Sequence, residues 1–209
     1  VINCAGVSGS LGNAETIYRI NALGTLHINQ EFYKVMDGGV ICDVASDSGY
    51  FLPNMMIPKE KVYKLAIEDE EKFIEAILKK TPFKSKPQYY AHLGYMISKN
   101  FVAWYSKNCA YKYYETKGIR VFSVSPGYVN TPMTEKEKGE ATDCMLSYSG
   151  LKRGGDPEEL AFLITSLCDE RCSYLIGADI ICDGGVVNNG YGLKNSREKY
   201  DGHGAKENW

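Results

Sequence analysis

The chain has 209 residues, 24 Lys and Arg against 26 Asp and Glu, a formal net charge of −2 and 44% apolar residues. That balance belongs to a soluble protein with a core to bury, and near-neutrality removes the electrostatic reason to expect nucleic acid or an anionic membrane as partner. No apolar run approaches the roughly 18 residues of a membrane span, and the opening run lacks the basic start and the length of a signal peptide.

In chain order, Val1–Cys4 is a short apolar run ended by Ala5-Gly6, which predicts a buried strand entering a turn. Starting this way, the sequence reads as the middle of something longer. From 13 to 36 the residues Ile17, Ile20, Leu23, Leu26, Ile28, Phe32 and Val35 recur at helical spacing, and Asp37-Gly38-Gly39 stops the helix. Val40–Ala45 is a strand, and residues 50–58, with Pro53 and Pro58, form a loop. Lys59–Lys80 reads as one charged amphipathic helix with Val62, Leu65, Phe73, Ile77 and Leu78 as its stripe. After a linker at 81–86, a long helix runs from Tyr89 to Thr116 and closes at Lys117-Gly118. Ile119–Ser125 is a strand, Asp156-Pro157 opens a helix to Asp169, and Ile176–Cys182 is the last strand. The alternation predicts an α/β protein with a parallel sheet covered by helices. The tail from Val186 to Trp209 has few apolar residues and reads as flexible.

Seven cysteines (4, 42, 109, 144, 168, 172 and 182) include no CxxC pair. Cys4, Cys42 and Cys182 sit in apolar runs as small hydrophobes, and Cys168 and Cys172 have no second pair to complete a zinc set. Reduced thiols in a cytoplasmic protein are the expectation.

The strongest chemical signal is Tyr95-Met-Ile-Ser-Lys99 in the long helix. Residues four apart share a helix face, so a phenol and an ammonium converge there. A tyrosine ordinarily titrates near ~10, and a neighbouring cation favours its charged form, which readies it to exchange a proton with an alcohol or ketone. Upstream, the strand ending at Ala45 delivers Ser46-Asp47-Ser48-Gly49 to the C-terminal edge of the sheet, where open parallel sheets bind ligands. Downstream, Ser125-Pro126-Gly127-Tyr128-Val129-Asn130-Thr131 turns toward the same edge. Asn21 places one amide in an apolar helix face, and Asp183-Gly184-Gly185 closes the last strand.

These segments, in this order, resemble the short-chain dehydrogenase/reductase family. Asn3-Cys4-Ala5-Gly6 is similar to its Asn-Asn-Ala-Gly motif, with Cys4 in place of the second Asn. Asn21, Ser46, the Tyr95–Lys99 pair, the turn from Pro126 to Thr131 and Asp183-Gly184-Gly185 are similar to its later motifs. The resemblance covers residues 1–187 and implies the C-terminal, catalytic part of a Rossmann-like doubly wound parallel sheet without its first three strands, followed by a tail at 188–209. It implies Tyr95 as general acid/base, Lys99 as the group that lowers its pKa and holds a nicotinamide ribose, Ser46 on the substrate oxygen, and Asn21 on a relay water. Ser48 competes with Ser46, whose spacing to Gly49 favours it. Asn3, Ala5, Gly6, Pro126, Gly127, Val129 and Thr131, with Tyr95 and Lys99, become the residues that bind NAD or NADP.

Two departures follow. The family's glycine-rich phosphate turn is expected upstream, and Gly6-x-x-Gly9-x-x-Gly12 is a poor substitute, because no acidic residue ends a strand about 20 positions on. Ser46 and Tyr95 lie 49 residues apart, so 50–89 is largely an insertion. In this it resembles the 3α-hydroxysteroid dehydrogenase/carbonyl reductase branch, whose inserted segment lies at the subunit interface. A surface elaboration or substrate lid is the other reading of that segment. Met133–Tyr148 takes the place of the substrate loop, with Met145, Leu146 and Tyr148 for an apolar substrate. The expected function is NAD(P)-dependent interconversion of a secondary alcohol and a ketone, steroid-like or otherwise bulky, by a homodimer or homotetramer. The rival is an inactive fragment or interaction protein without the dinucleotide-binding half. Enoyl reductases of the same superfamily space Tyr and Lys more widely than four.

Overall fold

The computed structural model describes residues 1–192 apart from Gly12 and Glu137; residues 193–209, most of the expected flexible tail, lie outside the described residues. Among the described residues, four parallel strands pair in chain order: β1 (Ile2–Asn3), β2 (Val40–Val44), β3 (Arg120–Pro126) and β4 (Asp179–Cys182). Registers such as Ile2 beside Cys42 and Cys42 beside Phe122 give the sheet two distinct faces. Between β1 and β2 lie α1 (Ala14–Ile17), a π-helical turn (Tyr18–Leu23) and α2 (Gly24–Val35). The expected single helix therefore contains one widened turn, with Gly24 N–H donating to Arg19 O.

After β2 come α3 (Glu60–Glu68) and α4 (Glu70–Lys80), and then the long α5 (Pro87–Lys117). The single helix expected at 59–80 is corrected to a hairpin. Asp69 is extended, with φ −159, and its carboxylate accepts from Lys72 N–H to cap the second helix. Pro87 opens α5, two residues before the expected start, because proline suits the first helical turn. Gly118, at φ 65, closes it. Short α6 (Pro132–Glu135) and α7 (Glu140–Tyr148) follow β3, and α8 (Pro157–Cys168) precedes β4.

One face of the sheet packs Ile41, Ile119 and Val121 against Ala110 and Tyr113 of α5. The other packs Cys42, Phe122 and Val124 against Ile164 of α8. A third cluster lies off the sheet, where Val62, Tyr63, Ala66, Phe73, Ile74 and Ile77 of the hairpin bury against Tyr18, Phe101 and Tyr105. The hairpin's stripe is thus spent on the chain's own helices. Buried Arg120 donates to the carbonyls of Leu167, Cys168, Asp169, Cys172 and Leu175, satisfying the C-terminal end of α8 and the turn beyond it. Residues 188–192 turn back, with Tyr191 edge-on to Phe51 and Tyr148 at 4.8 and 5.3 Å between ring centroids.

Candidate active site

The ends of β1, β2 and β3 open onto a cavity of about 170 Å³ lined by Gly6, Ser46, Tyr95, Lys99, Pro126 and Gly127, joined by Cys4, Val7, Val44, Ala45 and Met133. Six of the residues singled out in the sequence therefore meet in one place. Ser46 leaves β2 in extended conformation and caps a 3₁₀ turn at Asp47–Tyr50. Its Oγ accepts from Ser48 N–H at 3.3 Å and from Ser48 Oγ at 3.0 Å, and donates to Asp47 Oδ1 at 3.3 Å. Ser48 thus supports Ser46 and is not among the cavity-lining residues. Gly49 lets this turn press onto α5: a Cβ there would stand 2.8 Å from Asn100 N, one residue beyond Lys99.

Tyr95 and Lys99 lie one turn apart on α5, with Nζ 6.0 Å from the phenol ring centre. Lys99 Nζ donates to Val44 O at 2.9 Å, which fixes the ammonium at the end of β2. Burial pushes the Lys99 pKa down to about 8, opposed by Cys4 and Asp43. The ammonium is still the major form at neutral pH.

Asn21 sits in the π turn with no exposed surface. Its Oδ1 accepts from Val7 N–H at 2.8 Å, and its Nδ2 donates to Val7 O at 3.0 Å and Ser98 Oγ at 3.1 Å. The amide clamps the strip after β1 to α5 between Tyr95 and Lys99, while the Asn21 carbonyl accepts from Thr25 Oγ1. A widened turn at such a junction fits the tendency of π segments to occur at functional sites. Gly6 is small for a reason: a Cβ there would lie 3.3 Å from both Asn21 Oδ1 and Lys99 Nζ.

Other residues stand apart from the cavity lining. Asn3 is buried, donates to Asp43 at 3.2 Å and accepts from Ala5 N–H, so it shapes the turn that exposes Ala5. Val129 bridges to Gly155 and lines a second cavity of about 90 Å³ with Leu146, Leu160 and Asp183. The hydroxyl of Thr131, expected to face the crevice, instead caps α6 by accepting from Thr134 N–H. Asp183 accepts from Gly185 and Val187 N–H, both at 2.7 Å.

Two carboxylates escaped the sequence reading. Asp43 lies within β2 and accepts from Asn29, Ser106 and Asn3; burial raises its pKa and those donors restrain it. A charged residue in an otherwise apolar strand was the available signal. Asp47 follows Ser46, is 4% exposed, and has no partner for Oδ2 among the described residues. Its pKa is pushed up to about 7 by burial and by nearby Asp183.

A family model described as enoyl-(acyl carrier protein) reductase matches residues 76–187, more than half of the chain. The chain is 45% identical over 71 residues to the 3-oxoacyl-(acyl-carrier-protein) reductase FabG of Thermotoga maritima, a match covering 34% of this chain and 29% of that protein. It is 29% identical over 192 residues to the short-chain dehydrogenase/reductase bsc3 of Alternaria brassicicola, covering 90% of this chain and 68% of that one. The chain thus spans only part of the length of these relatives. Among solved structures, the 3-alpha-hydroxysteroid dehydrogenase of Pseudomonas sp. B-0831, described in complex with NADH, superposes with a TM-score of 0.72 at 23% identity, over 88% of this chain and 70% of that one. Fold, ordered motifs and family model agree: the chain belongs to the short-chain dehydrogenase/reductase family.

Proposed function

We propose that the protein is an NAD(P)-dependent oxidoreductase that interconverts a secondary alcohol and a ketone. The observation that carries this reading is the meeting of Ser46, Tyr95 and Lys99 around one cavity at the C-terminal edge of the sheet. Tyr95 is the proton donor in reduction and the acceptor in oxidation. Lys99, pinned by Val44 O, stabilises the phenolate that forms when Tyr95 gives up its proton. Ser46 holds the substrate oxygen, and Asn21, through its hold on Val7, sets the turn around Gly6 and the place of a relay water.

The residues fit the nicotinamide end of NAD or NADP. A cavity of about 170 Å³ is close to the ~150 Å³ that holds one benzene ring. Its Gly6 wall, tight against Lys99 Nζ, leaves an ammonium beside the place for a ribose. Asn3 shapes the turn at Ala5 on one side of the approach, and Pro126 and Gly127 form the other. When bound, the cofactor accepts or supplies the hydride.

The substrate class is a bulky apolar alcohol or ketone, steroid-like in size. Met133 on the cavity wall and Met145, Leu146 and Tyr148 of α7 support this, as does the likeness in fold to a hydroxysteroid dehydrogenase. The Tyr95–Lys99 spacing of four favours carbonyl over enoyl chemistry. Homo-oligomer formation is supported by exposed Phe162 on α8, by Ile181 of β4 and by Ile176 just before it. A cytoplasmic location is supported by seven free cysteines.

Tyr95→Phe in the intact protein abolishes turnover of any alcohol the wild type oxidises, and retained turnover overturns the mechanism. Titration with NADH and with NADPH, read by cofactor fluorescence, shows saturable binding of at least one. Binding of neither favours a non-catalytic interaction role.

A further inference from the structure

We propose that Asp47 is a positioning residue whose carboxyl group governs which way the Ser46 hydroxyl points. The inference rests on the oxidoreductase reading only for its consequence in catalysis; the coupling itself belongs to this turn.

The geometry is specific. Ser46 Oγ carries one proton, and that proton is directed to Asp47 Oδ1, away from the cavity. The other side of the oxygen is taken by two donors, Ser48 N–H and Ser48 Oγ. At 3.3 Å the bond to Asp47 is long for O–H···O, so the hydroxyl is held but easily turned. Asp47 Oδ2 has no partner among the described residues and is buried, an arrangement that penalises the charged carboxylate. Asp183 faces it from the turn beyond β4, across Gly127, where a Cβ would lie 3.2 Å from Asp47 Oδ2 and 2.7 Å from Asp183 Cα. Asp183 is itself occupied by two backbone N–H groups. Tyr191, in the C-terminal turn, is near enough for Asp47 to contribute to raising the tyrosine's pKa. From α5, packed against the same turn, Tyr95 and Lys99 face the shared cavity, and Tyr50, within the turn, is engaged with Asp179. The pKa of Asp47, raised to about 7, is consistent with both of its forms being accessible near neutrality.

The consequence is a choice of donor. An ionised Asp47 retains the Ser46 proton and leaves the substrate oxygen without that donor. A protonated Asp47 is a poorer acceptor and frees the Ser46 proton for a carbonyl oxygen, as reduction requires. No bond to carbon is made or broken in this step; one hydroxyl rotates and one carboxyl proton exchanges with water.

The test is a carboxyl carbon NMR titration of the full chain labelled at aspartate Cγ, with the Asp47 resonance identified by its absence in Asp47→Asn or, independently, in Asp47→Glu. In the wild type the resonance titrates near neutrality. In Ser46→Ala its midpoint moves up by about half a pH unit or more, the scale of one lost hydrogen bond, and Ser46→Thr restores it. An unchanged midpoint in Ser46→Ala, or a midpoint in the ordinary carboxylate range, overturns the inference and leaves the oxidoreductase reading intact. Retained turnover in Tyr95→Phe would overturn that reading and leave this titration standing.

Discussion

Two of the helical excursions between the strands, α3–α4 after β2 and α6–α7 after β3, are built on opposite terms. The first is rich in charge yet sends Val62, Tyr63, Phe73, Ile74 and Ile77 inward, and its edges are fastened to the helices before β2. Tyr18 Oη meets Thr81 Oγ1 at 2.7 Å, and Arg19 reaches Glu71 with both terminal nitrogens. The second excursion buries no residue within its helices. Its ends are tethered instead, by Tyr128 Oη on Thr134 O and by Asn189 Nδ2 on Tyr148 O. An excursion anchored through its middle is part of the core, whereas one held by its ends is free to adapt to what lies beneath it. Surface charge does not separate the two; inward aromatic and β-branched residues do.

That contrast can be broken by substitution. Phe73→Ala in the hairpin removes a fully buried ring that packs 5.4 Å from Phe101, and a loss of about 3–5 kcal/mol is expected in denaturant unfolding. Gly49→Ala drives a Cβ into α5 and is expected to cost about 1–3 kcal/mol by overpacking. It also displaces Ser46 from Lys99, so turnover falls more than stability does. At the small end, Cys144→Ala on exposed α7 is expected to change stability by no more than about 0.5 kcal/mol. Limited proteolysis is expected to cut between α6 and α7 before it cuts the hairpin. Equal costs for Phe73→Ala and Cys144→Ala, or first cleavage within 60–80, would erase the distinction.

Protonation supplies a further test, at the turn that joins β2 to the hairpin. Burial and Asp183 push the Asp47 pKa up to about 7 in the folded chain, above the ordinary carboxylate range that holds when the chain is unfolded. The folded state therefore holds a proton that the unfolded state has lost. The resulting stabilisation is complete below about pH 4 and is lost as pH rises through about 7. Lys99, pushed down to about 8, acts in a different window: the folded state sheds its proton first, so stability rises between about pH 8 and 10.5. Thermal melts of Asp47→Asn are expected to lose the first slope and keep the second.

Much of the sheet was legible because its signals are local. Apolar β-branched runs at Val40–Val44 and Arg120–Pro126 mark buried parallel strands, and Gly118 marks the end of α5 as only a left-handed residue does. The meeting of Ser46, Tyr95 and Lys99 was readable because a strand end and a helix face each have one direction to point. The break at Asp69 was missed although Asp69-Glu70-Glu71 is an acidic helix start; a continuous apolar stripe on either side outweighed it. The π turn at Tyr18–Leu23 leaves no trace in periodicity, since one extra residue rotates the stripe without interrupting it. The state of Asp47 was illegible for another reason. Its burial depends on Gly127 and Asp183, which come from the turns just beyond β3 and β4, 80 and more residues away.

Arg120 carries a consequence for the order in which the chain can be completed. One guanidinium at the start of β3 serves five carbonyls between Leu167 and Leu175, all about fifty residues later in synthesis. Until that stretch has emerged, β3 holds a buried cation-bearing side chain with no acceptors, and the face later covered by α8 stays open. A chain stopped before Leu167 is therefore expected to be captured by chaperones or degraded more than one stopped after Leu175, although the two differ by fewer than ten residues.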